Sequence, residues 1–187
     1  MRWLLPVLIG VVSLAVAGGV LAREFYQRER AQTRPTVELP AATSLKPAEQ
    51  PGSPEVSLTP DAARHPHGET VRALLEAYTN GINERNYERW KTAVSAERIA
   101  DKPEQKWLEG YRSTRNGSIL VHRIETGPDD ALRMLFSFTS TQDLADAPPT
   151  LQSTCIRWRL MLPIVRQNGQ WKIATVVPGT IPESRRC

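Results

Sequence analysis

Few side chains in this chain can do chemistry, and they are scattered. Two cysteines, Cys155 and Cys187, and 3 histidines, His65, His67 and His122, are the whole stock of thiol and imidazole groups in 187 residues. A structural zinc site needs four such donors at short spacing. His65 and His67 flank Pro66 with nothing suitable nearby, so neither a metal nor another cofactor is expected. His122, set between Leu120 and Ile124, is a candidate interior acid or base. No carboxylate or nucleophile stands beside it to orient it, which favours a hydrogen-bonded core or interface histidine. Glu125 shares strand parity with Arg123 and should face solvent, while Asp129, Asp130, Asp143 and Asp146 fall in turns and loops, where short acidic side chains satisfy local backbone. No phosphate loop, nucleophile elbow or dinucleotide fingerprint is present. No catalytic residue is therefore assigned.

The remaining candidates are aromatic. Tyr78, Trp90, Trp107 and Tyr111, with His122, could line a ligand pocket, against the simpler reading that aromatics at helical spacing are core. Three helices must position them. Val71, Leu74, Leu75, Tyr78 and Ile82 recur every three or four residues, with Arg72, Glu76, Glu84 and Arg85 elsewhere around the wheel. The run from Asn83 to Asn86 ends that helix. Tyr87, Trp90, Ala93 and Val94 repeat the spacing in a short second helix. Pro103 and Glu104 open a third, with Trp107, Leu108 and Tyr111 on its apolar face and Asn116-Gly117 as its stop.

Strands follow. Residues 118–126 alternate, Gly127 to Asp130 turns the chain, and residues 131–142 place Leu132, Met134, Phe136 and Phe138 on one parity. Residues 155–165 and 171–177 flank Asn168-Gly169, whose tolerance of positive φ marks a tight β-hairpin. Within it Ile156, Trp158, Leu160 and Leu162 share one face, and Cys155, Arg157 and Arg159 the other. Arg157 and Arg159 are candidate partner contacts, although exposed arginines also serve to protect strand edges. The fold class is α+β: three helices packed on one face of a curved antiparallel sheet of at least four strands.

Ahead of this domain, residues 3–22 carry no charge, and about 20 apolar residues suffice to cross a bilayer. A cleaved signal peptide is the rival reading; the length of the run favours a retained transmembrane anchor, residues 1–23. Residues 24–67, rich in proline, read as an extended linker, leaving 68–187 as the folded domain. Positive charges after the anchor would hold the domain inside, but long domains translocate regardless of them. An even pair of cysteines suits an oxidising compartment, so a Cys155–Cys187 disulfide and an extracytoplasmic domain on a single-pass membrane protein are expected. The net charge of +4 is spread thinly over the domain, which argues against a nucleic-acid partner. The sequon Asn116-Gly117-Ser118 reads as a turn.

A long amphipathic helix with an Asn-flanked break, a short aromatic helix, a third helix and a sheet closing on Asn168-Gly-Gln-Trp171-Lys-Ile173 together resemble the nuclear-transport-factor-2-like superfamily, the cone fold of SnoaL and ketosteroid isomerase, over residues 69–177. With the anchor in front, the architecture also resembles membrane-anchored actinobacterial proteins associated with Mce lipid transporters. The resemblance implies an interior cavity and a homodimer formed through the sheet, and it covers isomerases, dehydratases and non-enzymatic modules alike. The expected role is a non-enzymatic interaction or assembly module with a protein partner in a cell-envelope complex. The alternatives are a carrier of an apolar ligand or lipid in the cone, and an isomerase or dehydratase.

Overall fold

Residues 45–127, 130–176 and 182–187 are described by the structure, a computed structural model. The expected anchor and residues 24–44 of the expected linker lie outside them. Within the described residues no helix is long and apolar enough to cross a membrane.

Folding begins earlier than the proline spacing implied, because the compact unit runs Leu45–Cys187. Strand β1 (Val56–Leu58) pairs in parallel with β2 (Arg115–Thr126), setting Val56 against Ile119 and burying it. The prolines here punctuate structure rather than prevent it. Pro60 occupies the first turn of helix α1 (Pro60–Arg64), where no backbone donor is needed. Thr59 caps that helix, its Oγ1 accepting from Ala62 N at 3.3 Å and donating to the His122 carbonyl at 2.7 Å. Residues 45–67 therefore belong to the domain.

Helix α2 (Gly68–Glu84) ends where the asparagines predict. Arg85 takes the left-handed conformation, φ 58°, and Asn86 caps α3 (Tyr87–Ala93) by accepting from Arg89 N at 2.9 Å. Two further helices, α4 (Ala96–Asp101) and α5 (Glu104–Tyr111), bring the α-helices among the described residues to five, not three. Helices α1 and α4 are each too short to show an apolar period. The α2–α3 crossing depends on Gly81, where a Cβ would stand 2.8 Å from Trp90 N.

The sheet runs β1-β2-β3-β4-β5, with β3 (Leu132–Thr141), β4 (Cys155–Gln167) and β5 (Gln170–Ile173) antiparallel and β1 the one parallel edge. A sixth strand, β6 (Glu183–Arg186), pairs with β4 along the edge that β5 uses further on. The β4–β5 turn has Asn168 at φ 51° and Gly169 at φ 77°, the paired positive values of a two-residue hairpin loop. Val71, Leu75 and Ile82 of α2, Trp90 of α3 and Trp107 of α5 pack with Ile119, Val121, Met134, Phe136, Ile164 and Ile173 in one core. Leu75 is fully buried, and truncating such a leucine to alanine costs about 2–5 kcal/mol.

Two expectations for β2 fail. The strand starts at Arg115, so Asn116-Gly117 is not a helix stop or turn but the strand's first paired stretch. Asn116 is buried and exchanges two hydrogen bonds with Asn83. Irregularities between Gly117 and Leu120, and again between Val121 and Arg123, then shift the pairing with β3. An extra residue reverses the alternation beyond it, so Ile119, Val121 and Ile124 are all buried while Arg123 is exposed.

Candidate ligand-binding cavity

A cavity of about 700 Å³ lies between α2, α5 and the inner face of β3 and β4. Strand alternation supplies its wall. Phe136, Phe138, Trp158 and Leu160 follow one another on the inward parity, Phe138 stacking on Phe136 at 5.5 Å and on its cross-strand partner Trp158 at 6.2 Å. The opposite wall comes from Tyr78, Thr79 and Ile82 on α2 and Tyr111 on α5. Val176, Pro182 and Glu183 of the C-terminal tail complete the lining. The tail is held there by the Cys155–Cys187 disulfide, Cα–Cα 5.4 Å, as expected from the cysteine count.

The polar groups divide into two ends. At one end, Trp158 Nε1 donates to Ser140 Oγ at 2.8 Å, and that hydroxyl donates to Gln142 Oε1 at 2.9 Å. Beside them Asp146, its side chain 8% exposed, accepts from Arg112 Nε at 2.7 Å and from the Ser113 hydroxyl. The guanidinium hydrogen bonds, then the Ser113 hydroxyl, hold its carboxyl below the usual range. It is an ionised acceptor committed to its partners and a poor proton carrier at neutral pH.

The other end is cationic. Arg98, on α4, donates through Nη2 to the Tyr78 hydroxyl at 3.0 Å and through Nη1 to the Ala174 carbonyl at 2.9 Å, with its guanidinium 5.3 Å from the Tyr78 ring. Lys102 Nζ sits 4.0 Å from the centre of the Tyr111 ring. Tyr78 is half-buried in the cavity wall. Burial, with the neighbouring Tyr111 phenol, pushes its pKa up to about 12 against the opposing pull of Arg98. Tyr78 is thus a neutral phenol across the physiological range. Burial and the nearby Arg98 also lower Lys102.

Of the five expected pocket residues, two line the cavity. Tyr78 and Tyr111 do so. Trp90 and Trp107 are wholly buried, their rings tilted by 48° at 5.6 Å, and their indole N–H groups have no oxygen or nitrogen partner. They are core rather than lining. His122 lies on the outer face of the sheet, its Nε2 2.8 Å from Ser137 Oγ. The displaced parity of β2 carries it there, away from the cavity, and burial with the Arg159 charge lowers its pKa. Arg157 and Arg159 keep the outward parity expected of them. Arg157 is half-buried, and Arg159 stands 4.0 Å from Glu183 at the cavity edge. Glu125 is paired with Arg123 at 2.7 Å and Arg133 at 3.3 Å, on the solvent side as expected.

Sequence reasoning missed Arg98 and Asp146 as lining residues. Arg98 had a signal, since Ser95 caps α4 by accepting from Arg98 N at 3.4 Å and Glu97 follows in the first turn. Asp146 had none, because its partner Arg112 is remote in sequence. Among the described residues no group of three or more His, Cys, Asp or Glu could hold a metal ion. No family model matches the chain, and no curated protein is similar enough to carry an argument.

Proposed function

We propose that this domain binds a small apolar molecule in the cavity between helices and sheet, without transforming it. One observation carries the reading: about 700 Å³ stays open against an aromatic wall. That volume lies within the range of small-molecule sites, which are mostly apolar with a few placed polar groups. An isomerase or dehydratase would need an acid or base poised near neutral pH inside the cavity. Asp146 is instead tied to Arg112 and Ser113, and His122 is on the far face of the sheet. Helices followed by long antiparallel strands around a cavity support the resemblance to nuclear-transport-factor-2-like proteins. The disulfide supports an extracytoplasmic location behind a membrane anchor.

The assembly role is the second reading. It is favoured by the outer sheet face, where half-exposed Leu120 lies in register, across Ser137, with Arg159. The two readings combine in a carrier domain that receives its ligand within an envelope complex.

Calorimetric titration of the full chain with decanol tests the cavity. Saturable binding that disappears in Leu160→Trp, a variant that fills the space from the β4 wall, is the expected result. Non-saturable uptake, or equal binding by the variant, would remove the basis for the reading.

A further inference from the structure

Resting on the cavity reading, we infer that the ligand is an amphipathic anion, its chain lying along the Phe136–Phe138–Trp158 wall and its anionic oxygens meeting Arg98 and the Tyr78 hydroxyl. Arg72, Arg89, Lys91 and Arg112 each pair with a carboxylate, at 2.9 Å or closer. Among the described residues neither Arg98 nor Lys102 enters an ion pair. Yet Arg98 lines the cavity, and Lys102, outside the lining, stands 4.0 Å from the centre of the lining Tyr111 ring. Half-buried cations gathered without a counter-charge repel one another and lose hydration, an arrangement that an incoming anion relieves.

The donor geometry fits the same ligand. A guanidinium offers five N–H groups in a planar fork and accepts nothing. Here two hydrogen bonds fix its orientation, to the Ala174 carbonyl and the Tyr78 oxygen, which leaves donors free for a carboxylate or phosphate edge. The Tyr78 oxygen accepts from Arg98, and its own hydrogen is shared with the neighbouring Tyr111 phenol, which places a second hydroxyl at this end. Of the carboxylates in the lining, Asp146 is held by Arg112, and Glu183, 4.0 Å from Arg159, is exposed to solvent at the rim. An aromatic trough with one cationic end selects a molecule with an apolar body and one anionic head. A neutral lipid would leave Arg98 and Lys102 uncompensated. A free inorganic anion would leave the trough empty.

The test compares decanol, decanoate and decyl phosphate on the full chain by calorimetry, in the wild type and in Arg98→Met. A charge-assisted hydrogen bond contributes more than a neutral one, so the anions should bind roughly ten- to a hundredfold tighter than decanol. Arg98→Met should abolish that preference, so that decanol and the two anions bind this variant with the same affinity as one another. The tighter of the two anions identifies the head group. A second measurement needs no variant: the carboxyl ¹³C resonance of labelled decanoate should titrate at lower pH when bound than when free. Equal affinity for decanol and the anions, or a bound carboxyl that titrates at or above its free value, would overturn the anion inference while leaving the cavity reading intact. Saturable binding of none of the three would overturn both.

Discussion

Breaking the Cys155–Cys187 bond should free the tail strand without unfolding the domain, and the size of the effect can be bounded. The bond joins residues separated by 32 positions. In the chain-entropy treatment, the constraint that a loop of this length places on the unfolded chain amounts to about 4 kcal/mol. This is a ceiling, because β6 is exposed at every position. Its docking makes backbone ladder bonds but buries no apolar side chain, whereas ordering each residue costs about 1–2 kcal/mol of backbone entropy. Without the covalent link the tail undocks, and the freedom it regains in the native state offsets part of the lost constraint. The net loss should be roughly 1–3 kcal/mol. At about 3 °C per kcal/mol for a domain of this size, Tm falls by roughly 3–9 °C.

The assay is thermal unfolding of the full-length Cys155→Ser/Cys187→Ser variant, with amide hydrogen exchange at 25 °C. Protection should vanish at β6 and at the Cys187 amide, which donates to the Cys155 carbonyl at 3.1 Å, and persist along β3. Since Pro182 and Glu183 line the cavity, a bound ligand should also leave faster. If the β6 amides stay protected in the variant, pairing alone holds the tail and the argument from its exposure is refuted. A fall in Tm well beyond the 4 kcal/mol ceiling would show instead that the tail supports the core.

Two further outcomes follow from the packing and the charges. Gly81→Ala should destabilise the fold by about 1–3 kcal/mol despite alanine's better helix propensity, because the new Cβ meets the Trp90 backbone. Gly110→Ala, whose Cβ would lie 3.5 Å from Lys102 Nζ, is the control; chemical denaturation should find it neutral or stabilised by up to about 1 kcal/mol. Burial and then Arg159 depress His122, so the unfolded chain binds its proton more readily than the native one. Its contribution is present above the unfolded value of 6.5 and is lost as pH falls through the lower folded value. His65, lowered by burial and by His67, acts in the same sense. Denaturation midpoints measured from pH 8 to pH 5 should fall for the wild type and fall less for His122→Gln; parallel curves would show that His122 does not sense its surroundings in this way.

What the sequence reveals and what it hides differ by the range of the interaction involved. The hairpin at Asn168-Gly169, the break at Asn83 to Asn86 and the inward parity of Phe136, Phe138 and Trp158 depend on neighbours two to four residues away, and all were legible. Strand β1 was hidden because three residues carry no period and their stability comes from β2, some sixty positions on. His122 was misplaced because a bulge is an insertion in register against β3 and leaves no mark on composition. Trp90 and Trp107 looked like Tyr78 and Tyr111 because periodicity finds the buried side of a helix but not whether that side meets side chains or space. Arg98 stands at the far end of that scale. Its neighbours Tyr78 and Ala174 come from α2 and from the chain after β5, and the missing counter-charge is a property of three segments at once. An unpaired cation in an apolar cavity is visible only once the ion pairs around it have been placed in three dimensions, which the cap at Ser95 alone does not reveal.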